Sequence, residues 1–556
     1  MSRAASELMG TPDSLFYWIP GELVVVVRLK RKPAEEIHEA LSEQIRATLN
    51  TFLAAYQLTL EHYGTSGRWQ ESPGMPPVRR RAFLFGLHRP QPLMALFFHV
   101  RHGDPTLTDP TPLALSYLQA HLEQLAQEGL ALLAVMPNWL VAATPVFYND
   151  NGPALPPRPA PSIDQPGSEN QPTGWHFSLI DQVAPLHPTG TEDVVVAILD
   201  TAHHSDRVRS SATRPEFRRN WLLQRLASDL RSENGLFEIE YDRYPVSNDT
   251  RTGHDFYREP RYYFMPDHGL FVAGIVRDIA PRARIRLVRI LNDYGCCDLY
   301  NLFAALTDLE EELVSGSIRR LVINLSLGIM PDIRRLPYIW FENRTWPGSQ
   351  LGGVMRLLTQ LEEGLRLLFE SLYAHGALIA AAAGNDSTSA HKQGKQPRPP
   401  RSPARYNTTI SVSAVNSHQE AAQYANAASI APLDTGIATL GGDGYGFMDP
   451  NGLPDAVRGV YISPAFPGGE NNGSGWADWS GTSFATPIIS ALGAHLLAQG
   501  WSTPNALIRL AAGRERRTDK LFGSAPERPE LLANVIRVQQ KFSAPGAPAQ
   551  PGIEKH

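Results

Sequence analysis

Short, mainly apolar runs separated by longer amphipathic segments dominate the sequence from about residue 175 to 539. The runs cover 194–199, 284–290, 321–326, 378–382 and 409–414. A strand buried on both faces has no polar side to show, so this alternation predicts a parallel sheet covered by helices on both faces. The fold class expected is therefore α/β, a three-layer domain over 173–540. The preceding segment reads differently. Residues 21–29 are a Val-rich strand, and 34–63 carry apolar side chains at helical spacing around Leu41, Ile45, Leu49 and Phe52. Further strands are expected at 81–87, 92–100 and 130–135, with a helix over 112–128. Residues 1–150 are thus expected to form a smaller α+β domain.

Between the two, residues 153–172 replace apolar side chains with Pro, Ser, Gly and Asn and leave little to bury, which predicts a linker over 151–172. The Pro/Ala/Gly-rich end, 541–556, reads as a disordered tail. Segments 203–266, 331–353 and 390–405 interrupt the strand–helix rhythm. They are expected to be irregular surface excursions that shape a site. No internal repeat is found.

Composition narrows the function classes. A hydrophobic share of 42% with 19% charged residues fits a globular chain. The net charge of −5 comes from 51 basic and 56 acidic residues, a balance that argues against nucleic acid or anionic lipid as partner. The only two cysteines, Cys296 and Cys297, are adjacent, so neither a disulfide framework nor a CxxC metal pair exists. No stretch approaches the ~20 apolar residues of a membrane helix, and no Sec-type signal pattern opens the sequence. The expectation is a soluble, cytoplasmic protein with no membrane or nucleic-acid partner; its oligomeric state is left open.

Three motifs stand at the ends of expected sheet elements. In VVVAILDT the apolar run ends in the carboxylate of Asp200, and ligands of open α/β sheets gather at the carboxyl edge of the strands. DHGLFVAGI places His268 at a helix start, with Gly269, Ala273 and Gly274 small enough for close packing. WSGTSFATP places Ser483 at a loop-to-helix junction, where unpaired N–H groups and the helix dipole favour a developing anion. Taken singly, these residues are equally a turn cap, a satisfied histidine and an ordinary N-cap. Together they supply the carboxylate, imidazole and hydroxyl of nucleophilic acyl transfer.

In order and context, these motifs resemble those of the subtilisin-family (subtilase) serine proteases, over roughly 175–539. The resemblance implies that Ser483 attacks a scissile carbonyl, His268 acts as general base and Asp200 orients the imidazole. AAAAGND resembles the family strand ending in AAGN, which gives Asn385 the role of oxyanion donor and makes Ala382 and Gly384 neighbours of substrate. NLSLG resembles the strand that lines the cleft, making Ser326, Leu327 and Gly328 candidate substrate-binding residues. The implied function is a serine endopeptidase acting on a peptide or protein, with no cofactor required for chemistry. A peptide transpeptidase or macrocyclase on the same triad, and a silent peptide-binding module, are the alternatives. The N-terminal domain resembles a subtilase pro-region in architecture, against a permanently attached recognition domain.

The chain departs from the family pattern in three places. Ala202 and Leu270 stand where glycine and threonine are usual, which puts fine geometry in question if a positive φ were needed at 202. The separation of Asp200 from His268 is long. It includes an Arg-rich stretch near Arg207–Arg231 and an aromatic run at Tyr262, Tyr263 and Phe264, readable as a lid or as a solvated insertion. Structural calcium is allowed by the resemblance, but Asp449, Asn451 and Asp455 lack the carboxylate that would complete a calcium loop, so the metal assignment is unknown.

Overall fold

The computed structural model describes residues 18–33, 38–62, 82–107, 109–143, 156–160, 175–177, 193–232, 235–244, 246, 264–329, 360–429, 436–448, 454–500, 533–536 and 538–540. The 331–353 segment, the 541–556 tail, Tyr262, Tyr263, Asp449 and Asn451 lie outside the described residues.

The N-terminal unit is an antiparallel sheet. Strand β1 (Trp18–Arg28) lies between β4 (Leu93–His102) and β5 (Ala131–Ala143), β2 (Leu58–His62) and β3 (Ala82–Phe85) both pair with β4, and Val24 to Val27 are fully buried. The expected helix over 34–63 is shorter: it spans His38–Leu53 and gives way at Gln57, whose φ is +57°. The apolar period drops there from 3.6 to 2, and in β2 the buried residues are Leu58, Leu60 and His62. The expected 112–128 helix is two helices, Thr111–Ala120 and Leu122–Gln127. Strand β5 runs eight residues beyond the expected end at 135, because the apolar run continues through Trp139 to Ala143 and finds partners outside its own unit.

Two short strands follow, β6 (Arg158–Pro159) and β7 (Trp175–Phe177). Within the segment expected as linker, β6 pairs with strand Trp476–Trp479, and Ala160 is buried. The main sheet then builds from β8 (Val194–Asp200), β9 (Phe237–Glu240) and β10 (Arg284–Arg289). After β11 (Cys296–Asp298) come β12 (Arg320–Leu325), β13 (Leu327–Ile329), β14 (Leu378–Ala382), β15 (Ile410–Val415) and β16 (Gly436–Leu440). From one edge the order is Ala533–Val535, β16, β15, β14, β12, β8, β10, β9, with every described pair parallel. This is the three-layer α/β domain the apolar runs imply.

The 203–266 segment is more ordered than expected. It contains helices Ser205–Ala212 and Trp221–Asp229 and the edge strand β9. Among its described residues Arg207, Arg218, Arg219 and Arg231 are exposed while Val208, Ala212, Leu222, Leu223 and Leu226 are buried, so the charge-rich composition conceals amphipathic helices.

The N-terminal sheet rests on two helices of the larger domain, Leu299–Ser315 and Glu363–Ala374. Phe83 and Phe97 meet Tyr300 edge-on at 5.2 and 5.3 Å, and Trp139 Nε1 donates to Leu361 O at 2.8 Å. A Cβ on Gly364 would lie 2.6 Å from both Met136 and Val26, so glycine there lets the helix approach the sheet.

Two helices cross the centre of the larger domain. All twelve residues of His268–Ile279 are buried, and it packs beside helix Thr482–Ala498. Gly269 sits where a Cβ would be 2.0 Å from Thr201 O, a backbone atom that cannot move aside, whereas a Cβ on Gly274 would make ordinary contacts at 3.4 Å. Gly269→Ala is therefore expected to lower stability by roughly 1–3 kcal/mol. Gly274→Ala should be neutral or raise it by up to ~1 kcal/mol through helix propensity. Thermal melts of the two variants check the contrast.

On the second helix His495 is buried, donating Nε2–H to Ile279 O at 3.1 Å, and burial holds its imidazole below the ordinary value of 6.5. The unfolded chain takes up that proton more readily. This stability is thus complete above the ordinary value and declines as pH falls below it. Melts between about pH 7.5 and pH 5.5 should show a smaller acid-side loss in His495→Gln than in the parent.

Candidate active site

Two of the three motif residues, Asp200 and His268, meet at the carboxyl edge of the sheet. Asp200 ends β8, and its Oδ1 lies 2.8 Å from Nδ1 of His268, the first residue of its helix; both are buried. Oδ1 also accepts from Thr201 N at 2.7 Å. Thr201 Oγ1 accepts from Gly269 N at 3.0 Å, so the strand end and the helix start are stitched together on both sides of the pair. The imidazole packs against both Trp479 and Phe484, with each ring centroid 5.4 Å away. Its Nε2 is buried without a hydrogen-bond partner.

Ser483 is the second residue of helix Thr482–Ala498, and its Oγ lies 3.4 Å from Ser326 O. Ser326 Oγ in turn donates to Ser483 O at 2.8 Å. Asn385 follows β14 through Ala383 and Gly384. Its Oδ1 accepts from Thr482 N at 3.0 Å and from Thr482 Oγ1 at 2.8 Å. With the carbonyl so engaged, the amide has one orientation, in which Nδ2 is the donor. Gly384, at φ +110°, makes the turn, and a Cβ there would be 2.5 Å from Asn426 Nδ2. Ala382 is the last residue of β14, beside Val412.

Several supporting residues carry no motif signal. Arg401 forms a forked ion pair with Asp386, whose Oδ2 also accepts from Asn426 Nδ2 at 2.9 Å, so the Asn385 loop is clamped from below. Asp267, just before His268, is wholly buried and faces His203 Nε2 at 3.2 Å. Burial alone would raise its carboxyl; His203, the Ser463 hydroxyl and the Ile462 N–H together hold it below the usual range. Its partners come from a distant loop, so only tertiary contact reveals this role. Ala202 is buried and outside the left-handed region, since among the described residues only Gln57 and Gln419 have positive φ without being glycine. The missing glycine therefore leaves no strain at 202. Leu270 is buried in the helix. Asp455 accepts from Ser417 N and Oγ, at 3.1 and 3.0 Å.

The candidate substrate edge already holds a strand. Leu327 and Gly328 pair with Ala143 and Ala142, the end of β5, and Ile329 pairs with Val141. On the other side of β5, Cys296, Cys297 and Asp298 pair with Ala142, Val141 and Leu140. The last described residues of the N-terminal unit thus lie as the middle strand between two edges of the larger domain. The carbonyl of Ser326, next to that pairing, accepts from Ser483 Oγ at 3.4 Å. Cys296 and Cys297 are both buried free thiols.

No helix of the described residues is long and apolar enough to cross a membrane. Among curated proteins no match is found. Among solved structures, a lanthipeptide protease aligns over 63% of this chain and 86% of its own, at 17% identity and TM-score 0.36. A mutant of the protease domain of PatA aligns over 63% and 93%, at 19% identity and TM-score 0.35. The prenylagaramide maturation protease PagA aligns over 63% and 93%, at 19% identity and TM-score 0.34. A family model described as the subtilase family matches residues 191–523, more than half of the chain. The chain belongs to the subtilase family and is a subtilisin-like serine protease, a hydrolase.

Proposed function

We propose that the chain is an endopeptidase that cleaves peptide bonds through an acyl-enzyme at Ser483. The observation that carries this reading is the buried Asp200–His268 hydrogen bond at 2.8 Å, in a site whose nucleophile stands at a helix start and whose Asn385 amide is oriented by Thr482. In this reading Ser483 Oγ leaves Ser326 O and turns toward Nε2 of His268. Nε2 takes the hydroxyl proton as Oγ attacks, and Asp200 stabilises the imidazolium through Nδ1–H. The tetrahedral oxyanion receives Asn385 Nδ2 and a backbone N–H at the helix start. Nε2 then gives the proton to the leaving amine, and water repeats the sequence on the acyl group.

The substrate is an extended peptide. Its place is the slot between β11 and β13, where main-chain hydrogen bonds supply affinity and alternate side chains supply selectivity. In this reading residues 1–150 are a pro-region that occupies the slot through Leu140 to Ala143, with Ser326, Leu327 and Gly328 as the binding edge and Ala382 and Gly384 beside the acyl site. The chain's own pairing of Ala142 with Gly328 and Cys296 supports it.

Ser483→Ala should abolish hydrolysis of a peptide ester while leaving the melting temperature unchanged; His268→Ala should fall nearly as far and Asp200→Asn less. Retained turnover in purified Ser483→Ala protein sinks the mechanism. Asn385→Ala should lower kcat by ~10² or more with little change in KM, a magnitude taken from subtilisin's own oxyanion donor.

Two measurements test the pro-region reading. Intact mass spectrometry should find wild-type chain cleaved between Ala143 and Trp175 and Ser483→Ala chain whole. In uncleaved protein Ala142→Pro, which removes a ladder N–H, should raise ester hydrolysis several-fold. An unchanged rate makes the N-terminal unit an attached recognition domain. Product analysis with an added amine nucleophile separates hydrolysis from ligation.

A further inference from the structure

We propose that His88, Glu310 and His375 form a binding site for a divalent transition metal of the zinc class, placed across the contact between the N-terminal sheet and the catalytic domain. His88 lies in the turn after β3, Glu310 on helix Leu299–Ser315, and His375 at the end of helix Glu363–Ala374. One ligand atom from each lies within 4.8 Å of the other two. None of the three belongs to the acyl-transfer site.

The centre of the cluster is a carboxylate without a fixed positive partner. Glu310 is fully buried and accepts from Leu87 N at 2.9 Å, Gly86 N at 3.3 Å and the Ser371 hydroxyl. Among the described residues no lysine or arginine is within ion-pair distance of it; its one such neighbour is His375 Nε2, at 3.5 Å. That nitrogen is itself buried without a hydrogen-bond partner. Burial pushes the Glu310 carboxyl up, against the pull of Ser371, the two N–H groups and His375. A cation bound here would relieve both the carboxylate and the orphaned imidazole nitrogen.

Two imidazoles and a carboxylate are a donor set suited to zinc, whereas calcium and magnesium take oxygen. Ligating imidazoles must be neutral. Burial, Arg89 and His375 hold the His88 imidazole below its ordinary value. Its Nδ1 faces inward, 2.9 Å from Ser371 Oγ, and its ring stands perpendicular to that of His375 at 5.6 Å. Arg89 approaches the other nitrogen, Nε2, at 3.3 Å and opposes a cation. It also reaches Glu370 at 3.3 Å, a partner it keeps when the imidazole turns inward. Bonds of ~2.0–2.1 Å place tetrahedral donors about 3.4 Å apart, so the cluster closes by roughly 1 Å as exposed His88 rotates and Ser371 gives way. Solvent supplies the fourth ligand.

Because the ligands come from both sides of the contact, metal binding favours the docked state of the N-terminal unit. This coupling rests on the proposed occupation of the cleft by β5; the metal site itself does not. The test titrates zinc chloride into full-length Ser483→Ala protein by calorimetry, so that the chain stays whole. One zinc per chain is expected, with affinity at least tenfold lower in His88→Ala and in His375→Ala and unchanged in His418→Ala, an exposed control. Equal melting temperatures without zinc establish that His88→Ala, in an exposed turn, is folded. No zinc binding, or binding undiminished in both variants, overturns the site. In active, uncleaved protein zinc should slow ester hydrolysis, and this effect should vanish in His88→Ala. Zinc binding with an unaltered rate overturns the coupling alone, while an absence of ester hydrolysis in the zinc-free protein, with zinc binding retained, would fault the catalytic assignment instead.

Discussion

Everything at the active site depends on how closely the first turn of the His268 helix approaches the end of β8. The two backbones are near enough that a Cβ at 269 would strike Thr201 O. That closeness lets the Asp200 carboxylate meet the imidazole inside a wholly buried environment. A longer contact would admit water between them. It would also loosen the imidazole that Trp479 and Phe484 hold in plane. The helix can come so near because all its residues are apolar or small where they touch, and because its start is fixed by Asp267, whose own partners are His203, Ile462 and Ser463.

The second half of the site is built on the same economy of shared atoms. Thr482, directly before Ser483, donates twice to Asn385 and thereby orients an amide in the loop after β14. Ser326 reaches across to Ser483 O. Ser483, Asn385 and Ser326 are thus coupled at one helix start, so a shift of that helix moves all three together. The ion pair of Arg401 with Asp386 keeps the Asn385 loop from following solvent.

The N-terminal unit joins this arrangement by two means of different kind. One is the ladder of β5 with β11 and β13, directional and independent of side-chain identity. The other is the apolar face of its sheet on two helices, where Phe83, Phe97 and Trp139 supply area and Gly364 permits the approach. Buried polar groups are interleaved with that face. Asn138 bridges Glu22 and Asp298, and Glu310 receives the turn after β3. Such groups fix register where apolar contact alone would allow sliding.

What the sequence determined by itself was whatever depends on local pattern. Strands β8 and β14 stand out as continuous apolar runs, since burial on both faces removes nearly every polar position, and β10, β12 and β15 stand out as mainly apolar ones. Asp200, His268, Ser483 and Asn385 stand out because strand ends and helix starts carry short fixed motifs. Tertiary structure alone decided the rest. The edge strand β9 and its helices hide in an arginine-rich stretch because their buried side is narrow. The hydrophobic run of β5 predicts a strand but not its partners, because main-chain hydrogen bonding leaves no side-chain signature of which edge will be joined. His203 with Asp267, Thr482 with Asn385, and His88 with Glu310 are pairs far apart in sequence. Only folding, by bringing separate elements within a few ångströms, sets which of these polar groups must satisfy one another.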